Sequence, residues 1–259
     1  MVRVAVGRRP GGARSSTPWF LTEPDPDARV RVLCFPYSGC GASMYQRWPT
    51  RRGDVDFVPV QFPFRENRTR EPHFGTYERL ADVLVPGIEP YLDRPYVLFS
   101  HCGGVLPAYE SALRTAELGL RPPAAFIASS QVVPHRGPYG RFLGLTVPEL
   151  DEEIRTLLRR MGGRETFSAE IVEIVRDVLV ADLDANRRYS KPAPALLPCR
   201  VTAVGWDHDV DIPSPLMDAW TECADEVEIA LLHGDHYSFL EAPEELVELI
   251  VEVAESSAA

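Results

Sequence analysis

The segment Ser100-His101-Cys102-Gly103-Gly104 lies between the apolar run Pro95-Tyr96-Val97-Leu98 and a helix-like stretch that starts at Val105. A nucleophile carried on so sharp a strand-to-helix turn needs a small residue two positions to either side, because bulk there would meet neighbouring backbone. Ser100 and Gly104 satisfy that demand, and the residue at the apex is a cysteine. The turn would set the Cys102 sulfur at the N-terminus of the following helix, where free amides and aligned peptide dipoles favour a thiolate. The plainer reading is that Cys102 is a small buried apolar residue at a β-to-α turn, as most free cysteines are.

An elbow of this kind belongs in a parallel sheet, and the remaining chain has that pattern. Short apolar runs at 30–35, 56–62, 96–99, 124–130, 199–204 and 227–232 read as strands, and 77–92 and 104–117 as helices. Apolar strands alternating with amphipathic helices indicate an α/β fold whose mostly parallel sheet is covered on both faces. The stretch 134–198 interrupts the alternation with two helical stripes in place of a strand, one of Leu150, Ile154, Leu157, Leu158 and Met161, the other of Ile171, Ile174, Val175, Val178 and Leu179. Such an insertion at the carboxyl end of a parallel sheet is placed to act as a lid, since ligands bind beyond the strand ends. Ordinary core-facing helices would show the same periodicity.

A chain of 259 residues with 45% hydrophobic content can bury one large core, so residues 19–259 read as a single domain. Residues 1–18, rich in Arg, Gly and Ser, read as a disordered tail. The five cysteines form an odd set without disulfide-framework spacing and no apolar signal core opens the chain, which fits a reducing cytoplasm. No apolar stretch approaches the length of a membrane span, and a net charge of −11 argues against a nucleic-acid partner.

An elbow nucleophile needs a base, an acid to orient the base, and amides to receive an oxyanion. His236, in the loop Leu232-His233-Gly234-Asp235-His236 after the last strand run, is the candidate base, with His233 as the second choice. The acid belongs in the loop 205–211, where Asp207, Asp209 and Asp211 compete. Nucleophile, acid and histidine in that chain order match the α/β-hydrolase order. The oxyanion amides would come from Gly103, next to the nucleophile, and from Ser38 in the glycine-rich loop 35–41.

On these motifs the chain resembles the type II thioesterases of polyketide and nonribosomal peptide assembly lines, which are α/β-hydrolases. The likeness covers nearly everything after residue 28. It rests on Phe35-Pro36-Tyr37-Ser38-Gly39-Cys40, Pro63-Phe64-Arg65-Glu66-Asn67-Arg68, Ser100-His101-Cys102-Gly103-Gly104, Asp209, and Gly234-Asp235-His236-Tyr237. The resemblance favours Asp209 as the acid and implies an acyl group held as a thioester on the phosphopantetheine of an acyl or peptidyl carrier protein, with no cofactor or metal. The departures concentrate at the site: Tyr37 stands for His, Cys40 and Phe64 for Gly, Cys102 for Ser, and Gly103 for Met.

A thiol nucleophile changes the expected chemistry. Attack by Cys102 on a thioester yields another thioester, still activated, so transfer to a second carrier thiol or an amine competes with hydrolysis. A catalytically inactive hydrolase fold that only binds a partner is a third expectation. Docking an acidic carrier on this acidic protein would require a local basic patch, for which Arg47, Arg51, Arg52, Arg65, Arg68 and Arg70 are the candidates.

Overall fold

A computed structural model describes residues 15–162 and 167–257. Seven strands form one sheet: β1 (Val30–Cys34), β2 (Arg51–Arg52), β3 (Val55–Pro59), β4 (Tyr96–His101), β5 (Ala125–Ser129), β6 (Arg200–Trp206) and β7 (Val227–Leu232). Their spatial order is β2-β3-β1-β4-β5-β6-β7, and every pair is parallel except the short antiparallel β2–β3. Among the described residues five α-helices accompany them: α1 (Tyr77–Ile88), α2 (Val105–Glu117), α3 (Val147–Arg160), α4 (Ala169–Arg188) and α5 (Glu244–Ser256). This is the expected α/β-hydrolase architecture, with α3 and α4 inserted between β5 and β6.

Strand residues alternate between two apolar layers. Val32, Cys34, Val97, Phe99 and Ile127 face one layer, completed by Leu246, Val247 and Ile250 of α5 and by Ile154 and Leu183 of the insertion. Leu33, Leu98, Phe126 and Ala203 face the other, against Leu80 and Leu84 of α1, Val105 and Tyr109 of α2, and Trp220. Strands buried on both faces read as unbroken apolar runs, which is why they were visible in the sequence. The exceptions are the two edge strands, β2, whose two arginines are exposed, and β7, with Ile229 and Leu231 exposed.

The winding reverses between β1 and β4. From β1 the chain moves outward to β3, then crosses through α1 to return on the other side of β1. The loops leaving the carboxyl ends of two such neighbouring strands diverge and leave a crevice, the usual place for a ligand in an open parallel sheet. The loops that leave β1 and β4 are the glycine-rich loop and the cysteine elbow.

Several expectations need correction. The alternation of strand and helix lapses after β1, where the chain makes only a 3-10 turn, Ala42–Arg47, before β2. The stripe assigned to α4 was partly misphased, since Ile174 is exposed while Val172 and Leu183 are buried. Of the tail, residues 1–14 lie outside the described residues, whereas Ser16 is seated on the fold, its hydroxyl 2.8 Å from that of Tyr91. The arginines do not form a patch: Arg65 and Arg68 are buried, Arg68 over the Trp19 ring, and Arg51 and Arg52 pair with Asp25 and Glu244. Arg47 and Arg70 alone of the six are exposed without an ion pair among the described residues.

Candidate active site

β4 ends at His101, a 3-10 turn spans Cys102–Gly104, and α2 begins at Val105. Cys102 has φ +51, a left-handed conformation that a side-chain-bearing residue adopts only when its surroundings impose it. Here they do. A Cβ on Gly104 would lie 2.3 Å from the Pro36 carbonyl oxygen and 2.3 Å from Ser100 Oγ, so the elbow backbone presses directly on the β1 loop. Ser100 Oγ in turn donates to the Phe35 carbonyl at 3.0 Å. A Cβ on Gly103 would lie 2.1 Å from Ser38 Oγ, so Gly103 and Ser38, named as the amide donors, sit side by side.

The histidine and the acid are resolved by distance. His236 Nδ1 and Asp209 Oδ2 are 2.9 Å apart, and both residues are buried. Asp209 Oδ1 accepts from the backbone N–H groups of Asp211 and Ile212 at 2.8 and 2.9 Å, which fixes the carboxylate plane. Burial pushes the Asp209 carboxyl up, but the hydrogen bond and charge of His236 and the Ile212 N–H outweigh it and hold it at about 2. Burial would pull the His236 imidazole down; the Cys102 charge, together with hydrogen bonds to Asp209 and Cys102, raises it to about 10 instead. The alternatives pair with each other at the surface: His233 Nδ1 lies 2.9 Å from Asp207 Oδ2, both exposed. Asp211 lines the pocket beside Cys102, where Arg141 Nε meets its Oδ1 at 2.6 Å.

The pocket is small, about 30 Å³, and is walled by Tyr37, Phe142, Leu143, Leu183 and Asn186 around Cys102. Tyr37, which departs from the family loop, is fully enclosed by the rings of His101, Phe142, His236, Tyr237 and Phe239. Its hydroxyl lies 3.4 Å from His236 Nε2. Cys40, the other departure in that loop, points to the insertion, with its Sγ 4.0 Å from Met161 Sδ, and burial pushes its thiol up to about 12. Phe64 occupies a left-handed backbone position, φ +69, where the resembling family carries glycine.

Sequence reasoning missed the pin between this site and the insertion. Asp182 of α4 takes a bidentate pair from Arg65 at 2.9 and 2.7 Å, a contact at 2.8 Å from His73 Nε2, and the Gly39 N–H at 2.8 Å. Arg65 also donates to the Cys40 carbonyl at 2.9 Å. The sequence signal was there: Asp182 and Asn186 continue the i, i+3/i+4 line from Val178 and Leu179, and polar residues on an apolar helical line are buried ones with partners to find.

A parallel sheet with a small-residue elbow after its central strand, an acidic loop after β6 and a histidine loop after β7 defines an α/β-hydrolase. More narrowly, the chain belongs to the thioesterase family, since residues 30–253 match the thioesterase domain model. It is 30% identical over 92% of its length to a Brevibacillus parabrevis protein named linear gramicidin dehydrogenase LgrE, 92% of which is covered. Among solved structures it is similar to BorB, the type II thioesterase of the borrelidin biosynthetic cluster, with a TM-score of 0.76 and 26% identity, covering 91% of this chain and 97% of that one. It is likewise similar to RedJ, the thioesterase of the prodiginine pathway in Streptomyces coelicolor, with a TM-score of 0.73 and 30% identity over 88% of this chain and 86% of that one. Among the described residues no helix is long and apolar enough to cross a membrane.

Proposed function

We propose that this protein is a type II thioesterase of a peptide or polyketide assembly line that takes an acyl group from a carrier-protein phosphopantetheine onto Cys102 and releases it by hydrolysis. The observation that supports it most is the buried His236–Asp209 pair at 2.9 Å, joined to a cysteine at a left-handed elbow.

The Cys102 thiolate attacks the thioester carbonyl, and the oxyanion is received by the amides of Ser38 and Gly103. Collapse of the tetrahedral adduct breaks the carbon–sulfur bond to pantetheine, and the leaving thiolate takes the proton held by His236. Asp209 stabilises the imidazolium and keeps its Nδ1–H directed away from the nucleophile. In the second half, neutral His236 takes a proton from water, the hydroxide adds to the Cys102 thioester, and the free acid leaves as the thiolate is restored.

A second reading, transfer of the acyl group to another thiol or an amine, draws support from Tyr37. Its hydroxyl already lies against His236 Nε2, where a hydrolytic water would have to be activated. Both readings share the first half-reaction, and no step in either uses a cofactor.

The test is intact-protein mass spectrometry with an acyl-loaded carrier, with and without an empty second carrier, while free acid is quantified. Acyl mass on the wild type but not on Cys102→Ala, with acid accumulating regardless of acceptor, supports hydrolysis. Acyl mass passing to the second carrier with little acid supports transfer. Neither adduct nor acid would leave a binding module.

A further inference from the structure

Asn186 is a polar side chain of the acyl pocket wall whose buried amide oxygen finds no partner among the described residues. It is 5% exposed, it lines the pocket with Cys102, and its side-chain oxygen is buried without a hydrogen-bond partner. An unpaired buried amide oxygen loses its hydration and gains nothing in return, so its presence beside a reacting group points to a donor that arrives with the substrate. Its position is held firmly. Asp182, one helical turn earlier on α4, is locked to Arg65, and Leu183 of the same turn lines the same pocket. Asn186 also borders a second small cavity of about 10 Å³ beyond it, next to Leu106, Val132 and Val133.

The rest of the wall adds charge and a size limit. Arg141 and Asp211 line the pocket, and Arg141 also pairs with Glu153 behind it, two carboxylates against one guanidinium, so this side of the wall favours a cationic or hydrogen-donating group over an anionic one. The space, about 30 Å³, holds two or three waters at roughly 10–15 Å³ each on this measure, which suits a short chain.

Building on the thioesterase reading, we infer that Asn186 selects the acyl group: as substrate enters, its carboxamide turns into the pocket and the oxygen accepts a hydrogen bond from an N–H or O–H on a short acyl chain, so amino- or hydroxyacyl thioesters are taken in preference to plain alkyl ones. A site built to pair a donor discriminates against the analogue lacking it, because the buried acceptor stays unpaired.

The experiment compares kcat/KM for carrier proteins loaded with butyryl, 3-hydroxybutyryl and 2-aminobutyryl groups, on wild type and Asn186→Leu. Wild type should prefer one or both substituted chains over butyryl by about tenfold or more. Asn186→Leu should bring that ratio close to one, chiefly by raising kcat/KM for butyryl. Asp211→Asn separates the two donors: it should weaken only the aminoacyl preference if the donor is an ammonium and spare the hydroxyacyl one. A wild type that turns over all three chains equally, or prefers butyryl, overturns the role of Asn186 without touching the thioesterase reading, and needs no variant to fold. A preference that survives Asn186→Leu overturns it as well. No turnover or acylation with any chain overturns the thioesterase reading, and this inference with it.

Discussion

The buried pair between Arg65 and Asp182 should hold the helical insertion and the glycine-rich loop after β1 in one unit, and its removal should show in stability and turnover together. Asp182 is 4% exposed. Burial pushes its carboxyl up, but the Arg65 charge and the His73 and Arg65 hydrogen bonds bring it from 3.8 to about 2. At 1.36 kcal/mol for each pKa unit, that fall is a preference of roughly 2–3 kcal/mol for the ionised carboxylate in the folded protein. A carboxyl whose folded pKa is depressed contributes stability above its unfolded value and loses it on acidification, so this contribution is complete above pH 3.8 and disappears as pH falls through about 2. Arg65→Met removes the compensating charge and leaves Asp182 with only Gly39 N–H and His73, which should cost about 3–5 kcal/mol. Asp182→Leu leaves Arg65 with the Cys40 and Pro63 carbonyls and the Phe62 ring, and should cost somewhat less. The double variant Arg65→Met with Asp182→Leu replaces an ion pair by apolar volume and should recover most of the loss, giving a coupling energy of about 2 kcal/mol or more in urea melts. Each single variant should also lower kcat, because Asp182 holds Gly39 next to Ser38. Losses that simply add in the double variant would refute the argument.

Gly104→Ala should destabilise by about 1–3 kcal/mol in urea denaturation, since the added methyl meets the Pro36 carbonyl at 2.3 Å; an unchanged midpoint would mean the elbow does not press on that loop. Asp209→Asn should lower kcat at least a hundredfold and move the basic limb of the pH–rate profile down. The reason is that His236 is raised to about 10: the charged imidazolium and its contribution to stability are complete below pH 6.5 and lost as pH rises through about 10, and Asp209 supplies part of that elevation. NMR titration of His236 in wild type and variant gives the same comparison directly, and an unmoved value would count against the pairing. Tyr37→Phe should raise the ratio of free acid to transferred acyl group several-fold, by clearing the hydroxyl from His236 Nε2; an unchanged ratio would remove Tyr37 from the partition between the two outcomes.

Much of this molecule is written locally in its chain. The strands are short apolar runs because both their faces are buried, and the elbow is legible because only glycine survives where an added Cβ would meet the Pro36 carbonyl at 2.3 Å. Those properties belong to a residue and its near neighbours, so composition and spacing carry them. The partners are another matter. The two loops offered two candidate histidines, His233 and His236, and three candidate aspartates, Asp207, Asp209 and Asp211, and only the packing of β6 against β7 sends His236 inward to Asp209 and leaves His233 with Asp207 at the surface. Arg65 looked like part of a docking patch and proved to be buried on Asp182, well over a hundred residues away in the chain. Asn186 continues the apolar line of α4, which marks it as buried, but only the pocket wall places it with Cys102. Charge pairing and burial depend on what distant segments bring to the same point, and a periodicity of two or 3.6 residues holds no information about that; the tertiary structure decided it.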